Sequence, residues 1–99
     1  MAFSIWQWFT KTPRQRPDLR VVLYTRKGCP LCDQAWELLS EQQKRWGFVL
    51  EAIDVDTAAD LVREHGDCVP VVAINGRVRF RGHVNAVLLT RILDSEPER

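Results

Sequence analysis

The sequence predicts an α/β domain, a mixed four-stranded sheet covered by three helices in the order β-α-β-α-β-β-α. Three observations predict it. The apolar residues switch regularly between short β-branched runs and the three- to four-residue spacing of a helix. Asn75-Gly76 separates two strand-like runs, the pattern of a tight hairpin. Cys29-Pro30-Leu31-Cys32 falls at the first strand-to-helix junction.

Each element has a local reason. Residues 20–25 form a short β-branched run without alternation, which reads as a buried strand. Residues 30–46 read as a helix, because Cys32, Ala35, Trp36, Leu39, Gln43 and Trp46 recur at helical spacing and Gly47 ends the run. Residues 48–53 alternate as a second strand, and Asp54 to Thr57 form a turn with a capping residue. Residues 58–65 make a short helix closed by Gly66. Residues 69–74 and 77–81 are the hairpin strands on either side of Asn75-Gly76. Gly82 then breaks the chain, and residues 83–93 form the last helix. Its wide apolar face, Val84, Val87, Leu88, Leu89, Ile92 and Leu93, is expected to lie flat on the sheet. The helix between the first two strands implies a parallel pair with a right-handed crossover.

Ninety-nine residues permit one small domain with a modest core. A net charge of +1 offers no sign of a nucleic-acid partner. Three cysteines, one close pair and a single, suit a reducing compartment better than a disulfide-stapled secreted domain, so a cytoplasmic location is expected. Met1 to Phe9 is aromatic, lacks the marks of a signal peptide and is too short to span a bilayer. Lys11, Arg14 and Arg16 follow, with Pro13 and Pro17 among them. Residues 1–19 read as an arm, loosely ordered or with its tryptophans on the domain, rather than as a membrane contact. The domain is then 20–93 and the polar tail 94–99.

The dithiol carries the chemistry. A helix N-terminus presents free N–H groups and a favourable dipole to an anion, so the first cysteine is the better thiolate. Cys29 reads as the nucleophile and Cys32, a turn inside the helix, as the resolving thiol. Pro30 suits the first helical position, where an N–H is unsatisfied anyway. Arg26 and Lys27 add positive charge near Cys29, and Asp33 opposes them. Cys68 reads as a small half-buried residue, with a third redox thiol or a metal ligand as alternatives. His65 and His83 with the cysteines could complete a zinc site, but His65 before a helix-ending glycine needs no metal to explain it, and none is expected. Trp36 and Trp46 read as packing residues, Asp54 and Asp56 as loop and cap.

Residues 20–93 resemble the thioredoxin-fold proteins and, among them, the glutaredoxins. Three segments carry the resemblance: Tyr24-Thr25-Arg26-Lys27-Gly28-Cys29-Pro30-Leu31-Cys32-Asp33, then Cys68-Val69-Pro70, then Arg81-Gly82. It implies a dithiol-disulfide oxidoreductase acting on protein or glutathione mixed disulfides, with glutathione or a thioredoxin reductase as electron donor and no bound cofactor. It also implies a cis Pro70 facing the dithiol, with Arg26, Pro30, Leu31, Val69, Pro70 and Gly82 binding substrate or glutathione. The chain departs from the family pattern where Arg81 replaces a glycine, where Val84 and Asn85 stand in place of acidic residues, and where Leu31 replaces a tyrosine. Weakened glutathione recognition and a monomer are expected. Two other functions fit the resemblance: an iron–sulfur cluster carrier using Cys29 from two chains with two glutathiones, and a redox-sensing or scaffold module attached through the arm.

Overall fold

The computed structural model describes residues 15–97. Strand β1 (Arg20–Thr25) leads through a short loop into helix α1 (Pro30–Trp46), and β2 (Val49–Asp54) returns parallel to β1. A single 3-10 turn (Val55–Thr57) and helix α2 (Ala59–His65) follow, then the hairpin β3 (Val71–Ile74) and β4 (Arg77–Arg81), and last α3 (Ala86–Ser95). The sheet order is β2-β1-β3-β4, with β3 antiparallel to both its neighbours. The mixed sheet and element order follow the sequence expectation.

Register decides which residues face which layer. Val21 lies opposite Ile74, and Leu23 opposite Val72. These four, with Leu39 of α1, Leu89 and Leu93 of α3, and Phe80 of β4, form one buried cluster. Helices α1 and α3 therefore share a face, and each fully buried aliphatic side chain there contributes roughly 1.5–3 kcal/mol. Tyr24 points to the other face, where its ring lies 4.4 Å from that of His65 at the end of α2.

Several boundaries differ from the sequence reading, each for a local reason. Phe48 precedes β2 and is buried instead of paired. The third strand begins at Val71, because Pro70 has no N–H for the ladder. The last helix begins at Ala86, where the Asn85 side chain accepts a hydrogen bond from Leu88 N at 2.9 Å. That start narrows its apolar face. Leu89, Ile92 and Leu93 are buried, whereas Val87 and Leu88 are 66% and 46% exposed. The helix also runs on through Ser95, into the stretch read as a tail.

The domain begins earlier than Arg20. Arg16 and Leu19 are buried, although both were assigned to the arm. Arg16 N donates to Trp46 O at the end of α1. Its guanidinium donates to Leu93 O at 3.0 Å and to Glu96 O at 2.7 Å, and pairs with Asp18. One side chain thus joins the chain before β1 to the C-terminal end of α3 and satisfies carbonyls left free there. Gly47 ends α1 at φ 74°, in the left-handed region that favours glycine. Residues 1–14, the rest of the predicted arm, lie outside the described residues. Among the described residues no helix is long and apolar enough to cross a membrane.

Candidate functional site

The site is built where β1 gives way to α1. Cys29 is the N-cap of α1, in extended conformation, and its sulfur accepts a hydrogen bond from Cys32 N at 3.2 Å. Pro30 occupies the first helical position. The two cysteines are joined as a disulfide, with Cα atoms 5.2 Å apart, inside the range that a disulfide spans. Their surroundings differ. Cys29 is half-buried, whereas Cys32 is only 1% exposed. The sulfur at the surface is therefore the one at the helix N-terminus.

The segment before β3 departs from an ordinary strand entry. The Val69–Pro70 peptide bond is cis. Pro70 O accepts from Gly82 N at 2.8 Å, which ties this segment to the loop before α3. Val69 lies outside the ladder, which starts at Val71, and neither its N–H nor its C=O has a backbone partner among the described residues. It can offer both to an extended peptide, as a strand edge does. Cys68 is half-buried and free, and its N–H donates to His65 O at 2.9 Å.

Arg26, three residues before Cys29, does not point its charge freely at the dithiol. Nε and Nη2 donate to the Asp56 carboxylate at 3.0 and 2.9 Å, and Nη1 donates to Gly66 O at 3.1 Å. The hydrogen bond to Asp56 is the main cause that raises the Arg26 pKa, and the same bond holds the Asp56 carboxyl below the usual carboxylate range. Asp54 does cap, accepting from Asp56 N at 2.9 Å, but Asp56 is a partner of Arg26 and not a cap. Sequence reading missed this pair because its members lie 30 residues apart with no shared motif.

Two grooves flank the N-terminal half of α1. On the α3 side, Leu31, Gln34, Ala35, Leu38, His83 and Val84 line a pocket of about 130 Å³. On the β2 side, Leu23, Cys32, Asp33, Trp36, Glu37 and Ala52 line a wider groove of about 490 Å³. Leu31 and Trp36 are 46% and 42% exposed, so each groove has an apolar side chain at its rim. Trp46, by contrast, is buried. His65 is buried against Tyr24 with Nδ1 unpartnered, and His83 lies in the smaller pocket. Among the described residues no three His, Cys, Asp or Glu side chains are grouped to hold a metal ion.

The comparisons agree with this geometry. A family model described as "Glutaredoxin-like domain (DUF836)" matches residues 20–94. The uncharacterised protein Rv0508 of Mycobacterium tuberculosis is 43% identical over 63 residues, covering 59% of this chain and 65% of that protein. The chain thus spans about 65% of the length of the curated relatives matched at that identity. A "Probable Thioredoxin" of Methanothermobacter thermautotrophicus is 31% identical over 83 residues, covering 81% of this chain and 98% of that protein. Among solved structures, protein Ne2328 from Nitrosomonas europaea superposes with TM-score 0.67 at 28% identity, covering 79% and 94% of the two chains. A thioredoxin from Halobacterium salinarum shares the fold with TM-score 0.64 at 18% identity, covering 83% and 77%. A thioredoxin-like sheet, a cysteine pair at the start of α1, and a family match over the folded domain lead to one conclusion: this chain belongs to the glutaredoxin-like family.

Proposed function

We propose that this protein is a dithiol-disulfide oxidoreductase that reduces protein disulfides by thiol–disulfide exchange. The observation that carries the reading is the unequal burial of Cys29 and Cys32 within one helical turn. In the reduced protein the Cys29 thiolate attacks one sulfur of a substrate disulfide. A mixed disulfide forms, and the other substrate sulfur leaves as a thiolate that takes up a proton. Cys32 then loses its proton and attacks the Cys29 sulfur, expelling the second substrate thiolate. Two electrons have passed from the dithiol to the substrate, and the Cys29–Cys32 disulfide remains for an external thiol donor to reduce. Val69 and Pro70 border this reaction, with the Val69 backbone pairing to the substrate chain and Leu31 beside the attacked bond.

Protein disulfides are favoured over glutathione mixed disulfides as the substrate class. Three side-chain assignments support this. Arg26 is already engaged by Asp56 and Gly66. Val84 is apolar and buried. Asn85, where the family commonly carries an acid, is neutral and spends its oxygen on the α3 cap. A ligand ammonium would meet no carboxylate there. Reductase assays on one protein disulfide, run with glutathione and separately with a thioredoxin reductase as electron source, test the reading. Faster turnover with the reductase is expected. Full turnover at ordinary glutathione levels, matched by equal activity on a glutathione mixed disulfide, would assign the protein to glutathione chemistry instead.

A further inference from the structure

Arg81 is a charged side chain at the end of the sheet that carries the dithiol, and the exchange chemistry does not use it. It is the last residue of β4 and lies directly opposite Val71 in the ladder, so the two side chains share a face. The next residue, Gly82, donates its N–H to Pro70 O at 2.8 Å. His83 and Val84, which follow, share a pocket with Leu31, the residue between Pro30 and Cys32. On its other side Val71 faces Tyr24, near the end of β1, and from there the chain runs on to Cys29. Val69 is at most about 7 Å along the chain from Val71, within reach of an arginine side chain.

The Arg81 guanidinium is also unengaged. Arg81 is exposed, and its side chain has no hydrogen-bond or ion-pair partner among the described residues. The neighbouring cations differ. Arg26 is held by Asp56 and Gly66 O, and Arg79 pairs with Glu96. Lys27 acts on the Asp56 carboxyl, adding to the lowering that Arg26 mainly causes. Arg77 stands at the other end of β4. The exposed acids near the dithiol are directed elsewhere. Asp67, behind Asp56, acts on Arg26, and Asp33 lies in the groove on the β2 side. The pocket beyond Gly82 has no acid in its lining. An open guanidinium next to the unpaired backbone of Val69 is suited to a carboxylate on a chain that pairs there.

We propose that Arg81 selects substrates with an Asp or Glu two residues from the reactive cysteine, pairing with that carboxylate while the Val69 backbone pairs with the substrate chain. The two-residue offset follows from extended structure, in which alternate side chains lie on one face. A charge at the rim of an interface speeds encounter and fixes register. This inference rests on the exchange reading above and adds to it a class of substrate.

Single-turnover oxidation of the reduced full chain by disulfide-linked peptide dimers tests it. The peptides differ only in carrying Glu, Gln or Lys two residues before, or two residues after, the cysteine. In one of the two positions the Glu peptide should react about threefold faster than the Gln peptide, and the Lys peptide more slowly than either. Arg81→Glu should reverse that order and leave the rate on the Gln peptide within about twofold of wild type. In about 1 M salt the preference should vanish. Equal rates on the three peptides overturn the proposal and leave the exchange reading standing. A preference for Glu that survives Arg81→Glu overturns it too, because another cation then reads the carboxylate. So does a charge effect seen with glutathione disulfide alone. Failure to react with any peptide overturns both the proposal and the exchange reading.

Discussion

Arg26 grips Asp56 through two parallel hydrogen bonds, Nε to Oδ2 at 3.0 Å and Nη2 to Oδ1 at 2.9 Å. This fork joins the loop before Cys29 to the turn after β2, and the third bond, to Gly66 O, extends it past the end of α2. The positive charge next to the dithiol is thus held by a carboxylate on another loop.

The pair has a defined acid limb. The folded Asp56 carboxyl titrates below its ordinary value of about 3.9. The folded state therefore binds fewer protons than the unfolded state in that range. Its contribution is full above the unfolded value and is lost as pH falls through the lowered one. Asp56→Asn should lower the thermal midpoint slightly at pH 7, and the gap from wild type should close as pH falls from the ordinary carboxylate range through the lowered native value. Thermal scans across pH check this; a gap that stays constant would show that the ion pair contributes nothing.

Arg16→Ala should be severely destabilising, because this arginine is buried. It removes a buried guanidinium and strands two carbonyls at the end of α3. A loss on the order of 3 kcal/mol is expected, equivalent to a drop of roughly 10 °C or more in midpoint. Truncation to Pro17 should cost at least as much, because it deletes the same group. Chemical denaturation of both variants supplies the measurement, and an unchanged midpoint would show that the clamp is dispensable.

The two thiols of the Cys29–Cys32 pair should act in a fixed order. Cys32→Ser should trap a stable mixed disulfide through Cys29, since the buried resolving thiol is gone. Cys29→Ser should abolish both exchange and trapping, and Cys68→Ser should leave turnover within about twofold of wild type. Alkylation of the reduced protein against pH, read by mass spectrometry, identifies the reactive sulfur. Modification of Cys32 or Cys68 ahead of Cys29 near neutral pH would reverse the assignment.

Asn85→Asp separates helix capping from ligand charge. Aspartate caps as well as asparagine does, so α3 should keep its start and the midpoint should move by less than about 2 °C. The new carboxylate should attract the ligand ammonium by about 0.5–1 kcal/mol, raising glutathione-dependent turnover roughly two- to fivefold. Asn85→Ala, which loses the cap, should instead cost about 1 kcal/mol of stability with no gain in turnover. Steady-state rates against glutathione concentration read the difference.

The sequence alone determined the element order, the boundaries of α1 and the hairpin turn, because each is written in neighbouring residues. Helical spacing runs from Cys32 to Trp46, Gly47 stops it, and Asn75-Gly76 forces a turn whatever surrounds it. The dithiol was legible for the same reason: its chemistry needs only two cysteines one turn apart at a helix start. The start of α3 was misplaced by three residues, since Val84 looks helical in pattern and only the Asn85 cap shows where the helix begins. What the tertiary structure alone decided are the long-range pairings. Arg16 appeared to belong to a basic arm, and Arg26 to lend its positive charge to Cys29. Burial against α3 claimed the first, and Asp56 claimed the second. A charged side chain takes the partner that folding brings within hydrogen-bond reach, and those partners lie 77 and 30 residues away, where no local pattern records them.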